Sequence, residues 1–311
     1  MTSHAEPVTD AVFIVGVSRS GTTLMRHILE GSSQVSVCRE NHFLGHLLAS
    51  EGVRQHLRRR FGDHPDDDAA RRLVDFLYDG GLERSSRLRG MSRQWVWTTR
   101  HIPRDRFLER FLASDRSERA LFEIVLRTYA DHEGKAIMGE KTPAHVRYVD
   151  TLLEWFPGGR VVHMVRDPRA IYVSELRRRA EHSPSLPYRL LRPIGPLLSG
   201  FVLLETTLVW LESVMRLERN RTRHAGRYLA VRFEDLVVEP EREIRRTCGF
   251  LGVPFERAML EQVVVSRGHN VGRAGFDGGA AGRWRDRLGP AGRAWFRAWF
   301  GPRLRRLGYR D

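Results

Sequence analysis

Lysine is almost missing from this chain. Of its 52 basic residues only Lys135 and Lys141 are lysines, and the rest are arginines. A skew that strong points to a coding bias that inflates basicity everywhere. The net charge of +14 therefore indicates a generally cationic surface before it indicates a nucleic-acid footprint. It also singles out the two lysines, because a lysine kept where arginine is the default is a candidate for work needing a compact, titratable ammonium. Cysteine is equally scarce. Cys38 and Cys248 cannot build a disulfide framework and form no CxxC, so a reducing cytoplasm is the expected setting. The thirteen histidines give no recognised ligand pattern, and no metal is expected. The opening MTSHAEPVTD has no basic stretch ahead of an apolar run, so no secretory signal is expected. The longest apolar stretch, residues 194–215, is broken by Gly200, Glu205, Thr206 and Thr207. It reads as a buried helix, with no transmembrane segment. RNP, KH, zinc-finger and helix-turn-helix patterns are absent, which weighs against a nucleic-acid partner.

What is present suits a globular α/β chain. The 311 residues are 41% apolar and 29% charged, enough to bury a large core. Four apolar, β-rich segments read as buried parallel strands: residues 11–17, 136–140, 160–165 and 228–233. Helical patterns separate them, the signature of an open α/β sheet. Residues 43–131 read as a helical insertion over the sheet's functional edge, and 177–196, rich in proline and arginine, as a mobile loop.

The sharpest local feature is GVSRSGTT at 16–23. It has the frame of a phosphate-binding loop, but Thr22 stands where a nucleoside-triphosphatase has lysine, and Arg19 sits in the middle. Gly16 and Gly21 permit a tight turn after the first strand. The amides of Ser20 to Thr23 then open a helix whose positive end attracts an anion. Thr22 and Thr23 add hydroxyl donors, and Arg19 adds a fork that fits phosphate or sulfate.

Three further stretches fall at strand ends. In VVHMVRDPRAIYVSELRRR (161–179), Arg166 leaves a strand, Asp167 and Pro168 start a helix, and Ser174 and Arg178 share one helical face. The three could converge on a second phosphate, or Arg166 could pair at the surface with Asp167 or Glu175. In GEKTPAHV (139–146), Lys141 lies at a strand's ligand edge, where open α/β sheets bind. In RENHF (39–43), Glu40 is either a general base or an ordinary solvated carboxylate. His42 has no evident partner, and Cys38 reads as packing.

Together, and in this order, these blocks resemble the sulfotransferases that use 3′-phosphoadenosine 5′-phosphosulfate (PAPS). FIVGVSRSGTTLM looks like that family's loop for the 5′-phosphosulfate, and VVHMVRDPRAIYVSEL like its strand and helix for the 3′-phosphate. GEKTP, the stretch YLAVRFEDLVVEPEREIRRTCGFLGVPF, GRWRDRLGP and the closing RLRRLGY also fit. The spacing is nearest the carbohydrate and tyrosylprotein branch, where an arginine occupies the loop.

The resemblance implies a P-loop-like three-layer sandwich with a central, mainly parallel sheet, a single domain over 1–311. It implies PAPS as co-substrate and in-line transfer to an acceptor hydroxyl: a carbohydrate, glycolipid or natural product, anionic in keeping with the arginines. It implies Glu40 as base and Lys141 with Arg19 at the leaving phosphate. It further implies Arg19, Ser20, Gly21, Thr22, Thr23, Arg166, Ser174, Arg178 and Arg283 around the donor. Phe233 departs from the branch, which has a tyrosine there, and 267–277 matches the capping loop only loosely. The rival readings are a P-loop kinase or NTPase and a non-catalytic basic nucleic-acid module. The tail 292–309 carries Trp295, Phe296, Trp299 and Phe300 as an apolar stripe among arginines, expected to dock on the core, with peripheral membrane contact the alternative.

Overall fold

A computed structural model describes residues 9–45, 52–85, 93–182, 186–261 and 275–309. The four apolar segments become four strands: β1 (Ala11–Gly16), β2 (Met138–Lys141), β3 (Arg160–Val165) and β4 (Tyr228–Arg232). They pair in the order β2-β1-β3-β4, every neighbour parallel. All six residues of β1 are buried, and they alternate between two apolar clusters. Phe13 and Val15 join the larger cluster on one face, while Val12 and Ile14 join the smaller on the other. Burial on both faces is why these strands read as continuous apolar runs rather than alternating ones. The fold is the α/β sandwich expected, a parallel sheet between helical layers.

Fourteen α-helices accompany the sheet among the described residues: α1 (Thr22–Glu30), α2 (Val53–Phe61), α3 (Asp67–Tyr78), α4 (Gly81–Arg84), α5 (Arg93–His101), α6 (Arg104–Leu112), α7 (Glu118–His132), α8 (Val149–Trp155), α9 (Pro168–His182), α10 (Leu186–Leu191), α11 (Gly195–Arg223), α12 (Phe233–Val238), α13 (Pro240–Leu251) and α14 (Pro290–Arg306). Their boundaries follow local chemistry. The Asp66 carboxylate accepts from the Ala69 amide at 2.8 Å to start α3, the Ser117 hydroxyl does the same for α7 at 3.1 Å, and Gly252 in the left-handed region ends α13. The smaller cluster seats α1 and α13 on one side of the sheet. The larger carries the insertion α2–α7 together with α9, α11 and α14 on the other.

Two expectations need correction. Residues 177–196 are mostly helical where described: 177–182 continue α9, 186–191 form α10 and 195–196 open α11, with a turn at 192–194, while 183–185 lie outside the described residues. Arginine and leucine favour helix, and Tyr188 buries there with its hydroxyl on Glu205 at 2.6 Å, which fixes the segment. The stretch 194–215 is helical as expected, but it is buried along one face only. Leu198, Val202, Trp210 and Val214 enter the core, and Leu197, Leu204 and Leu208 do not. The segment QVSVC contributes only isolated parallel bridges, Val35 to Ile137 and Cys38 to Glu140.

Candidate active site

Every strand delivers its carboxyl end to one edge of the sheet, and β1 lies where the chain order reverses between β2 and β3. Open α/β sheets place ligands there. The 16–23 loop occupies that point. A Cβ on Gly16 (φ +147°) would meet the Met164 carbonyl at 2.5 Å, and one on Gly21 (φ +96°) would meet the Phe233 ring at 2.5 Å, so only glycine fits either position. Between them Arg19 is held at φ 69°, a left-handed conformation that arginine adopts only under constraint. The constraint is visible. Arg19 Nε donates to Ser174 Oγ at 2.9 Å, Arg166 donates to the Arg19 carbonyl at 2.8 Å, and Ser18 Oγ donates to Glu175 at 2.9 Å. The loop opens α1, whose first-turn amides face outward from this turn. Ser20 is wholly buried, and its hydroxyl has no hydrogen-bond partner among the described residues. A buried, unsatisfied donor at a helix N-terminus fits an anion-binding loop.

Arg166 takes neither of the surface partners considered for it. Its guanidinium stacks on the Phe233 ring at 4.0 Å and reaches the Ala280 carbonyl at 3.3 Å. Phenylalanine in place of the branch's tyrosine is thus a platform under a guanidinium. Burial draws the Arg166 pKa down to about 10, with nearby Glu234 opposing and Arg19 reinforcing the shift; the group stays cationic at neutral pH. Asp167 pairs instead with Arg169, both buried, and the Arg169 guanidinium lies 4.0 Å from the Trp284 ring. Asp167 also caps α9, accepting from the Arg169 amide at 2.9 Å as its sequence position implies.

Two predicted members stand apart from this convergence. Arg178 is forked onto Glu175 at 2.7 and 3.0 Å, and Arg283 is tied to Asp277 at 2.6 Å. The helical face shared by Ser174 and Arg178 exists, but a carboxylate one residue from Ser174 captures the arginine. Of the loosely matching capping segment, 267–274 lie outside the described residues.

On the other side of β1, Lys141 closes β2, paired in register with Ile14. Its ammonium donates to the Glu40 carboxylate, and His42 Nε2 lies 3.3 Å from the other carboxylate oxygen. The partner of His42, not evident in the sequence, is therefore Glu40. Lys141 is nearly buried while Glu40 keeps about a third of its side chain open. Burial alone would raise the Glu40 pKa. The His42 hydrogen bond and the Lys141 charge outweigh it and hold the carboxyl well below the usual range.

The segment bearing Glu40 is fixed by residues that sequence reading missed. The Arg39 amide donates to Gln94 at 3.0 Å and the Trp95 indole donates to the Asn41 carbonyl at 3.1 Å, so α5 of the insertion pins this segment from above. Beneath it lies a closed polar network. Wholly buried Glu140 accepts from Thr142 at 2.5 Å and meets His145 Nδ1 at 2.5 Å, while Thr142 Oγ1 and His145 Nε2 accept the Asn41 and Leu44 amides, each at 3.3 Å. Because Nε2 accepts, the ring proton lies on Nδ1 and points at Glu140. Glu140 and His145 flank Lys141 in GEKTPAHV, and that clustering of polar groups at a strand end was the available signal. No group of three or more potential metal ligands occurs among the described residues.

Comparison with known proteins agrees with this geometry. The sulfotransferase family model matches residues 11–257. An omega-hydroxy-beta-dihydromenaquinone-9 sulfotransferase of Mycobacterium tuberculosis is 30% identical over 139 residues, 44% of this chain and 33% of that protein. A protein-tyrosine sulfotransferase of Danio rerio is 22% identical over 268 residues, 85% of this chain and 58% of that one. The chain thus spans less than two thirds of either curated relative. Among solved structures, the sulfotransferase domain of the Synechococcus PCC 7002 olefin synthase superposes with a TM-score of 0.53 at 22% identity, covering 93% of this chain and 91% of that domain. The sulfotransferase domain from the curacin biosynthetic pathway gives 0.54 at 17% identity, covering 96% and 97%. Since the family match runs unbroken from the first residue of β1 past the end of α13, the chain belongs to the sulfotransferase family.

Proposed function

We propose that the protein transfers the sulfuryl group of PAPS to the hydroxyl of an acceptor, a carbohydrate, glycolipid or natural product, and releases 3′-phosphoadenosine 5′-phosphate. The observation that carries this reading is the Glu40–Lys141 pair at the carboxyl end of β2, on the strand beside β1 and its glycine-framed loop. A donor with a 5′-phosphosulfate has no β,γ-phosphate pair bridged by magnesium, so a loop without the nucleoside-triphosphatase lysine suits it.

In this account the α1 amides with Ser20, Thr22 and Thr23 hold the 5′-phosphate. Arg166 and Ser174 border the 3′-phosphate. Arg178 and Arg283, now paired with Glu175 and Asp277, would extend that border with their remaining donors. The acceptor oxygen attacks sulfur in line as the bond from sulfur to the bridging oxygen breaks, and the acceptor proton passes to Glu40. Arg19 and Lys141 offset the charge that develops on the departing phosphate. A Lys141 that turns from Glu40 toward the phosphate loosens the pair. That release removes the charge holding the carboxyl acidic and makes it a stronger base when it is needed. The buried thiols of Cys38 and Cys248 are in keeping with a cytoplasmic setting.

The test is transfer of radiolabelled sulfur from PAPS to a panel of sugars, glycolipids and hydroxylated polyketides or isoprenoids. Glu40→Gln should lower kcat on any acceptor found by about 10²–10⁴-fold. Wild-type turnover in that variant would remove the base assignment.

A further inference from the structure

Outside the site, the least expected feature is a line of exposed apolar side chains. Leu190, Ile194, Leu197, Phe201, Leu204 and Leu208 recur every three or four residues across α10 and α11, between 39% and 65% exposed, and Met215 continues the line. On α11 this spacing keeps one face apolar for about 27 Å. Soluble surfaces rarely leave so long an apolar stripe uncovered. A shallow groove of about 370 Å³, lined by Leu208, Leu211 and Met215, opens at its far end.

The charges around the stripe decide what fits it. Arg189 and Arg192 lie exposed at one end, and at the other lie exposed Arg219 and Arg223, two cations that share the single carboxylate of Asp150. The flanking carboxylates are paired from within: Glu205 with Arg179, and with a hydrogen bond from the Tyr188 hydroxyl, and Glu212 with Arg147 and Arg216. Exposed Glu218 stands near the Arg219 end. Trp299, 58% exposed, stacks 5.5 Å from Trp295, whose indole donates to Thr207 on α11 at 3.0 Å. The flank therefore carries an aromatic of the kind that settles at a membrane interface.

A second copy of the chain suits this face poorly. Paired parallel or antiparallel, two such helices would oppose basic ends at both termini, in chains of net charge +14. Crossing a bilayer suits it poorly too. α11 is long and apolar enough by composition, but Leu198, Val202, Trp210, Val214 and Leu217 on its other face are buried in the core.

We infer that the α10–α11 stripe docks in the plane of an anionic lipid surface, its leucines in the acyl boundary and its terminal arginines at the headgroups. α11 is also tied to the segment that follows β2, through Arg147, and to α9, which carries Ser174, through Arg179. Docking would bring the acceptor side against the lipid, a consequence that rests on the transfer proposed above.

The experiment is sedimentation of the full chain with phosphatidylcholine vesicles, with and without three-tenths phosphatidylglycerol, at low and high salt. Wild type should partition about tenfold more strongly onto the anionic vesicles, less so in salt. The variant Leu197→Ser/Leu204→Ser/Leu208→Ser should lose about tenfold of that binding while keeping its melting temperature and its response to 3′-phosphoadenosine 5′-phosphate. Failure of wild type to bind either vesicle overturns the proposal. So does equal binding by the triple variant, or a wild-type dimer that the variant dissociates. Because donor binding is read separately, loss of vesicle binding and loss of the transferase reading are distinguishable.

Discussion

Glu40 and Lys141 lie 101 positions apart in the chain and touch in the fold. Such a pair is self-neutralising in the free protein. With its pKa held low, Glu40 is ionised across the neutral range, and as pH falls the carboxylate is lost only through that lowered pKa. The acid limb of kcat/KM, which reports the free enzyme, should therefore fall below about pH 4. Lys141→Ala removes the stabilising cation and should move that limb upward, toward the ordinary carboxylate range. A wild-type limb between about pH 4 and 5 that Lys141→Ala leaves in place would contradict the pairing. Left-handed backbone occurs at two residues beside this chemistry, Arg19 at φ 69° and His42 at φ 47°. Strain in that position is what a site overdetermined by its surroundings can sustain.

At the scale of elements, His163 on β3 joins three of them. Its ring meets the Tyr228 hydroxyl at the start of β4 and Ser213 Oγ on α11 at 2.9 Å. Burial pushes its pKa down to about 3, so the folded ring stays neutral where the unfolded one, near 6.5, takes a proton. Its contribution is complete above about pH 6.5 and declines as pH falls toward 3, by about 1.4 kcal/mol per pH unit. Denaturant titrations from pH 6.5 to 4.5 should show a slope shallower by that amount in His163→Gln; equal slopes would contradict the assignment. The strands, the loop glycines and the Asp167 cap were legible in the sequence because each depends on neighbours within a few residues. What was not legible depends on distant partners. Gln94 and Trp95 reach the Glu40 segment from α5, Glu175 captures Arg178 away from its expected ligand, and Tyr188 turns an apparent loop into helix. Composition alone could not separate a helix buried all round from one buried on a single face.

At the scale of the whole molecule, the reading rests on a division between two faces. The sheet's carboxyl edge gathers the glycine-framed 16–23 loop, Arg166 and the Glu40–Lys141 pair, and the long α11 presents leucines outward. Many of the arginines that obscured function in the sequence are engaged in ion pairs, such as Arg178–Glu175, Arg147–Glu212 and Arg169–Asp167, while the net charge of +14 remains on the molecule. The donor site is the claim on which the rest depends. Its most direct test is the shift in melting temperature with 3′-phosphoadenosine 5′-phosphate, set beside adenosine 5′-phosphate and magnesium-ATP. At a hundred times its dissociation constant the bisphosphate should add about 2.7 kcal/mol of stability, without magnesium, where adenosine 5′-phosphate adds little. Stabilisation by magnesium-ATP alone, or by none of the three, would contradict a site built for this donor.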